Sequence, residues 1–503
     1  MNPLLRKEIR LVLPAWLAVL LLEMGLPWIV NDQDAAITYA PGYFFFGMVL
    51  LAVDSFGREF SLGTFSSLMA QPLERRQVWR TKLAVLLAAA ALIFAAYFIS
   101  CELRLQRPPG AGEMRFDPRG FAQVMVTSGA VLLVALTGGL WTALLLRQIS
   151  AALWIAWLAP VGLLLSVIFI GSLIIKAPSN LADNLMLYGA AGFYIVSGFW
   201  LAHRLFFRAE DAGWTGGVVS LSRWRYFERA GQTPVSRRVP RSLAALVKKE
   251  FQLHGVSLLL AAALLGLHLV IFMLRAFYSQ AHPNSLAAIA TDGFWLLWLL
   301  LPLVIGCMTV AEERKLGVME EQFCLPMTRR RQFSVKLAFA LVWGVLLGGV
   351  MPLLLETAAR RLGVPNYMFK HPDPYEPVFI LPMAAGLAGA GFFASTLARS
   401  FLQALSIAMV GLVGGGLLIS YIGLLSDHRT TFLGLMPIPW ILWFLLGKPT
   451  FLGVFLWLSY RNFTSYQEGG RLWRRNIAGL LGAGLFVVAF SALLYVLHNI
   501  PIE

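Results

Sequence analysis

Residues whose types could do chemistry are sparse in this chain, and most lie inside apolar runs. Glu23 sits within LAVLLLEMGLPWIV, and an acid in such a run is a functional candidate by default. It reads as a gate, a cation contact or, most simply, a buried helix-to-helix hydrogen bond. Asp54 and Arg58 stand four apart, the spacing of a helical ion pair. His254 and His268 have no metal-ligand companions nearby in sequence. Cys101, Cys307 and Cys324 show no C-x-x-C spacing, so they outline neither a metal site nor a disulfide framework. Asp32 and Asp34 in NDQD read as solvated loop acids. Gly447-Lys448-Pro449-Thr450 lacks the upstream glycine that a phosphate-binding loop needs. No constellation for hydrolysis, group transfer or metal binding emerges, and the chain is not expected to be an enzyme.

The elements that hold these residues are set by composition. Of 503 residues, 58% are hydrophobic and 13% charged, with a mean hydropathy of +0.71, where soluble domains are about a quarter charged. Apolar stretches long enough to cross the roughly 30 Å hydrocarbon core recur throughout. The fold class is therefore all-α, a polytopic helical membrane protein. Spans are expected near 12–30, 41–57, 82–101, 120–146, 151–175 and 185–205, then 255–274, 293–311, 337–355, 378–398, 401–423 and 438–460. A thirteenth lies near 477–497. The twelfth is crowded by Pro437, Pro439 and Lys448-Pro449, so 434–450 can be re-entrant or spanning. The first residues lack a signal-peptide cleavage pattern. With the N-terminus inside the cell membrane, 30 of the 41 Lys and Arg fall in cytoplasmic segments, as the positive-inside rule requires. An odd span number then puts the C-terminus outside. The net charge of +15 follows from these topology determinants and implies a lipid partner, with no nucleic acid.

Self-similarity is the most informative feature. Residues 58–84 align without gaps on 312–338, and nine of 26 positions from Glu59/Glu313 to Ala84/Ala338 are identical. They include Leu62/Leu316, Gly63/Gly317, Pro72/Pro326, Arg75/Arg329, Arg76/Arg330 and Lys82/Lys336. LLRKEIRL (4–11) matches LVKKEFQL (246–253), pairing Lys7-Glu8 with Lys249-Glu250; WLAHRLF (200–206) matches WLSYRNF (457–463). Matches in the same order along each half imply two parallel six-helix repeats. They divide the chain into a first repeat (1–206), a basic cytoplasmic linker (207–242), a second repeat (243–463) and a connector with one extra C-terminal span (464–503).

The strongest matches fall between spans two and three and between spans eight and nine. Apolar residues recur as a stripe, Leu62, Phe65 and Met69 in one copy and Leu316, Met319 and Phe323 in the other. Gly63 and Gly317 sit where the chain must turn, and Pro72 and Pro326 end the short helix. Paired arginines follow at the headgroup level. Two short amphipathic helices on the cytoplasmic side are the expected result.

This pattern is similar to the coupling-helix region of type-2 ABC transporter membrane subunits. The first copy carries it as Glu59, Gly63, Thr64, Leu68, Pro72, Arg75, Arg76 and Lys82; the second keeps Glu313, Gly317, Pro326, Arg329, Arg330 and Lys336 but has Val318 and Gln322 for Thr and Leu. The segments around Lys7-Glu8 and Lys249-Glu250 resemble the interfacial helix that precedes span one in that family. The resemblance implies a permease subunit of an ATP-driven exporter, moving an amphipathic or lipophilic substrate. It implies a dimer of separate ABC ATPase subunits docking on both short helices, with ATP and Mg held there and no cofactor in this chain. The competing expectation is a secondary transporter of the six-plus-six kind, driven by an ion gradient, for which Glu23 would be the translocation-path residue.

Overall fold

The computed structural model describes residues 3–29, 33–38, 40–61, 63–107, 118–174, 180–209, 242–278, 293–319, 327–364, 376–425, 431–432, 436–437, 448–465 and 470–498. Nearly all of these are helical. Nine helices among them are long and apolar enough to cross a membrane, which makes the chain a multi-pass helical membrane protein.

The first half comprises α1 (Pro3–Ile29), α2 (Gln33–Thr38), α3 (Ala40–Ser61), the short α4 (Thr64–Met69), α5 (Arg75–Gln106), α6 (Pro118–Leu146), α7 (Ile149–Ile174) and α8 (Asn180–Phe207). The second begins with α9 (Ser242–Leu253) and α10 (Gly255–Tyr278). A 3-10 turn (Gly293–Leu299) then leads into α11 (Leu300–Lys315). α12 (Arg329–Val345) runs through a π turn (Leu346–Val350) into α13 (Met351–Arg361). α14 (Glu376–Leu397), α15 (Phe401–Leu425), α16 (Lys448–Thr464) and α17 (Gly470–His498) complete it. A two-residue antiparallel pair joins Thr431–Phe432 to Met436–Pro437.

Three elements differ from the sequence expectation. The segment around Lys7-Glu8 is not a separate interfacial helix: α1 is continuous from Pro3 to Ile29. Only the second copy breaks, between α9 and α10, at His254-Gly255. The ninth span does not stop at 355. It reaches Arg361, because the π turn just before Pro352 absorbs the backbone bond that proline cannot donate. Glu356, expected to begin an external loop, is therefore buried on a helix. The helix of the twelfth span starts at Lys448, with Pro449 in its first turn, where a missing N–H costs nothing; residues 438–447 lie outside the described residues, as does the linker from 210 to 241.

Helix crossings are placed by small residues, as expected where lipid offers no hydrophobic drive for association. α3 and α6 meet where Gly139 faces the backbone of Ala52-Val53. α11 and α14 meet where Gly306 faces the backbone of Ala388, Gly391 and Phe392, and Gly391 faces that of Leu303 and Cys307. The two halves touch along α1 with α15 and along α7 with α10. In the glycine run 411–418, Gly416 receives Ile29 of α1, and Gly25 of α1 receives Val413, whereas Gly411, Gly414 and Gly415 face open space among the described residues.

Candidate functional site

α4 hangs from α3 by one left-handed residue. Gly63 has φ +66°, a conformation only glycine adopts without strain. Its counterpart Gly317 has φ +70°. The turn directs α4 back against the bundle, where Phe65 and Leu68 are buried and Phe65 packs on Phe60 with ring centroids 4.5 Å apart. Gly63, Thr64, Pro72, Arg75 and Arg76 remain exposed. Leu62, Phe323 and Pro326 lie outside the described residues. In the second copy the chain turns helical again at Val318, Met319 is buried, and Leu316 is 52% exposed. The stripe read from sequence therefore does not include Leu316: it precedes the glycine turn, so it belongs to the end of α11 and does not share a face with Met319.

Four charged residues that the sequence presented as two separate motifs converge behind each turn. In the first half, Lys82 of α5 lies 2.8 Å from Glu8 of α1 and 3.0 Å from Glu59 of α3. Lys7 reaches the same Glu59 at 2.8 Å. In the second half, Lys336 of α12 lies 2.6 Å from Glu250 of α9 and 2.7 Å from Glu313 of α11, and Lys249 meets Glu313 at 2.8 Å. Each cluster holds two carboxylates and two ammonium groups and is neutral overall. Glu8, Glu59, Lys82, Glu250, Glu313 and Lys336 are buried, whereas the Lys7 and Lys249 side chains are 37% and 33% exposed. Lys82 also stands over the Phe56 ring at 5.0 Å. Burial pushes the Glu250 carboxyl above its usual range, Lys336 opposes that and Glu313 adds to it.

Glu59, Lys82, Glu313 and Lys336, which the resemblance implied for the coupling region, are buried inside the bundle. Their carboxylates and ammonium groups are spent inside, clamping the N-terminal helix to the two helices that flank the short one. The arginines behave differently. Arg75 donates to the Phe207 carbonyl at the end of α8 (2.8 Å), and Arg329 donates to the Thr464 carbonyl at the end of α16 (3.0 Å). Both terminate helix carbonyls that would otherwise lack donors. Arg76 and Arg330 are exposed. The Asp54–Arg58 pair expected from spacing is present at 3.1 Å.

Glu23 is fully buried, and neither carboxylate oxygen has a hydrogen-bond partner among the described residues. The expected helix-to-helix hydrogen bond is absent. The carboxylate packs against Gly47 of α3, where any side chain would collide with it.

His268 is not alone. Trp298 donates to its Nδ1 at 3.0 Å, which leaves Nε2 to donate to Glu356, 3.2 Å away. Arg275 holds both oxygens of Glu356, at 2.9 and 3.0 Å. The four residues come from α10, the 3-10 turn and α13, all buried, and form a polar knot at the end of the bundle opposite the clamp. The sequence hid it because its members are 81 and 88 residues apart and Glu356 fell beyond the expected end of its span. The ring nitrogens of His254 have no hydrogen-bond partner among the described residues, and the ring stacks on Phe339 at 5.0 Å. Burial, and then the charge of Lys336, lower it to about 3, so it is neutral. No group of three or more potential metal ligands exists among the described residues.

The ion pairs join the N-terminal helix to two long helices in each half, and in the first half the short α4 hangs from the same unit. No family model, no curated protein and no solved structure matches this chain.

Proposed function

We propose that this chain is the membrane-spanning permease of an ATP-driven exporter, built from two parallel six-helix repeats and driven by a separate ATPase dimer. The observation that carries the reading is the clamp: the same four residue types, at aligned sequence positions, meet behind the same left-handed glycine in both halves. Repetition of the small-residue crossings and of the arginine-to-carbonyl contacts adds support.

On this reading α4 and its counterpart at Val318-Met319 receive the force of nucleotide-driven closure. The clamp passes it to α1 and to α9–α10. Because α1 packs on α15 and α10 packs on α7, motion of the clamps opens or closes the seam between halves. An apolar seam suits an amphipathic or lipophilic cargo, and export is the direction usual in the family the sequence resembles. The exposed docking residues are Thr64, Ser67, Arg76 and Arg330, while Glu59, Lys82, Glu313 and Lys336 are positioning residues.

The test is affinity purification in mild detergent of a chain carrying Ser67→Cys, followed by cross-linking and identification of the soluble subunit captured. A phosphate-loop ATPase joined through position 67 is the expected result. Purification without any ATPase, or an ATPase that cross-links only through the opposite end of the bundle, sinks the proposal.

One observation favours the ion-driven alternative: Glu23, a buried carboxyl without a hydrogen-bond partner among the described residues. On that reading Glu23→Gln abolishes transport in vesicles while an imposed proton or sodium gradient drives the parent protein without ATP.

A further inference from the structure

Glu23 is a buried acid that neither the clamp nor the polar knot employs. It stands on the face of α1 that meets α3, 0% exposed, and a methyl group at Gly47 would strike both its carboxylate and Val19, one turn earlier on α1. Neither oxygen has a hydrogen-bond partner, and no charged group acts on it among the described residues. The titratable groups that face it are Tyr43 of α3 and Tyr97 and Cys101 of α5, phenols and a thiol that carry no charge at neutral pH. The hydroxyls nearby are engaged elsewhere. Tyr43 donates to the Ala36 carbonyl at 3.1 Å, and the Tyr97 and Ser128 hydroxyls share a bond of 3.1 Å. Ser100 donates to the Met24 carbonyl at 2.8 Å and receives the Trp28 indole at 3.0 Å. The polar groups around Glu23 are paired without it.

What completes such a group is decided by cost and by space. An ionised carboxylate without a partner is far costlier to bury than a neutral carboxyl. A metal cation needs several oxygen ligands, and no group of three or more potential ligands exists among the described residues. An organic cation needs room, and the space beside Gly47 does not admit even a methyl group. A proton needs neither room nor further ligands. Packing does not call for an acid here, since the aligned positions of the second half hold Leu265 for Glu23 and Leu301 for Gly47. The opposite face of α1 touches the other half, where Gly25 receives Val413 and Ile29 enters against Gly416. Any movement of α1 at the seam therefore changes the surroundings of Glu23.

We propose that Glu23 is a proton-binding site: the proton is held while α1 lies against α3, and it leaves when α1 moves at the seam and exposes the carboxyl to water. The step is a reversible O–H dissociation, in which water or hydroxide takes the proton and the electron pair stays on the carboxylate. The inference names the proton as the ion of the gradient-driven alternative. It rests only on the membrane setting and holds whichever energy source moves α1.

The test is infrared difference spectroscopy of the full chain in liposomes, parent minus Glu23→Gln, with Glu23→Leu as a second reference that carries the residue of the aligned position. At neutral pH the difference should contain the carbonyl stretch of a protonated carboxyl. The paired stretches of a carboxylate in its place would mean an ionised group with a cation beside it, and would overturn the proposal. Raising the pH should convert the acid band to carboxylate. Coupling to α1 is read by locking the seam. A Cβ at Gly25 would stand 3.9 Å from that of Val413, a spacing at which disulfides form, so Gly25→Cys with Val413→Cys joins α1 to α15 when oxidised. The alkaline conversion should be lost in the oxidised double variant and return on reduction. Conversion that is equal in both redox states, or absent from both, overturns the proposal. None of these readouts involves transport or an ATPase, so their failure is distinct from failure of the permease reading.

Discussion

The clamp predicts a ranking that a simple count of ion pairs would not. Lys82 and Lys7 both contact Glu59, but Lys82 has a side chain 2% exposed and two carboxylate contacts at 2.8 and 3.0 Å. Lys7 is 37% exposed, with one contact at 2.8 Å and another, to Glu8, at 3.9 Å. Lys82→Met leaves Glu8 and Glu59 buried, with a single half-hydrated lysine between them. Breaking a buried pair in this way costs about 3–5 kcal/mol, because the surviving charge is uncompensated. Lys7→Met removes a charge that water already screens, and such pairs are worth about 0–1 kcal/mol. The gap of at least about 2 kcal/mol corresponds to roughly a thirtyfold difference in the folded-to-unfolded ratio. The second half repeats the experiment internally, with Lys336 (0% exposed) in the role of Lys82 and Lys249 (33%) in that of Lys7. The assay is heat- or denaturant-induced loss of the monodisperse peak in mild detergent. Adding Glu59→Met to Lys82→Met should recover part of the loss, since it removes one of the two stranded carboxylates. The reasoning fails if Lys7→Met costs as much as Lys82→Met, or if the order reverses in either half.

Other outcomes follow from the same geometry. Glu356→Ala removes the carboxylate that meets both Arg275 and His268 in a buried site and should lower the unfolding midpoint much more than Phe193→Ala on the exposed face of α8, as read by the same assay. Gly391→Ala forces a methyl group against the backbone of α11 and costs about 1–3 kcal/mol, while Gly386→Ala, which meets open space, is neutral or slightly stabilising. Glu250 has its folded-state pKa raised, chiefly by burial. Its contribution is therefore fully present below the unfolded pKa and lost as pH rises through the folded one. Glu250→Gln should flatten the decline in stability with pH above the ordinary carboxylate range; an unchanged slope would place that decline elsewhere. Arg76→Ala and Arg330→Ala, which lose no ion pair or side-chain hydrogen bond among the described residues, should leave stability intact and lower ATPase stimulation if the permease reading holds; unaltered stimulation counts against it.

The sequence by itself determined the membrane setting, the helical class and most span positions, because hydrocarbon length and apolar composition are local quantities. It also marked Gly63 and Gly317 as turns and paired Asp54 with Arg58, since both depend on neighbours within a few residues. Alignment of the halves singled out Lys7, Glu8, Glu59 and Lys82 and their counterparts. It could not say that they meet, because Glu8 and Lys82 are 74 residues apart and nothing in either segment specifies the partner.

Tertiary structure alone decided that those acids and lysines face inward and pair with one another across helices. It also decided that His268 has companions and that the Glu23 carboxylate has no hydrogen-bond partner among the described residues. A charged side chain in lipid must be paired across helices or left stranded, and which of the two happens is fixed by packing at crossings such as Gly139 on Ala52 and Gly391 on Cys307. Hydropathy describes each helix against lipid; partners are chosen only when helices touch.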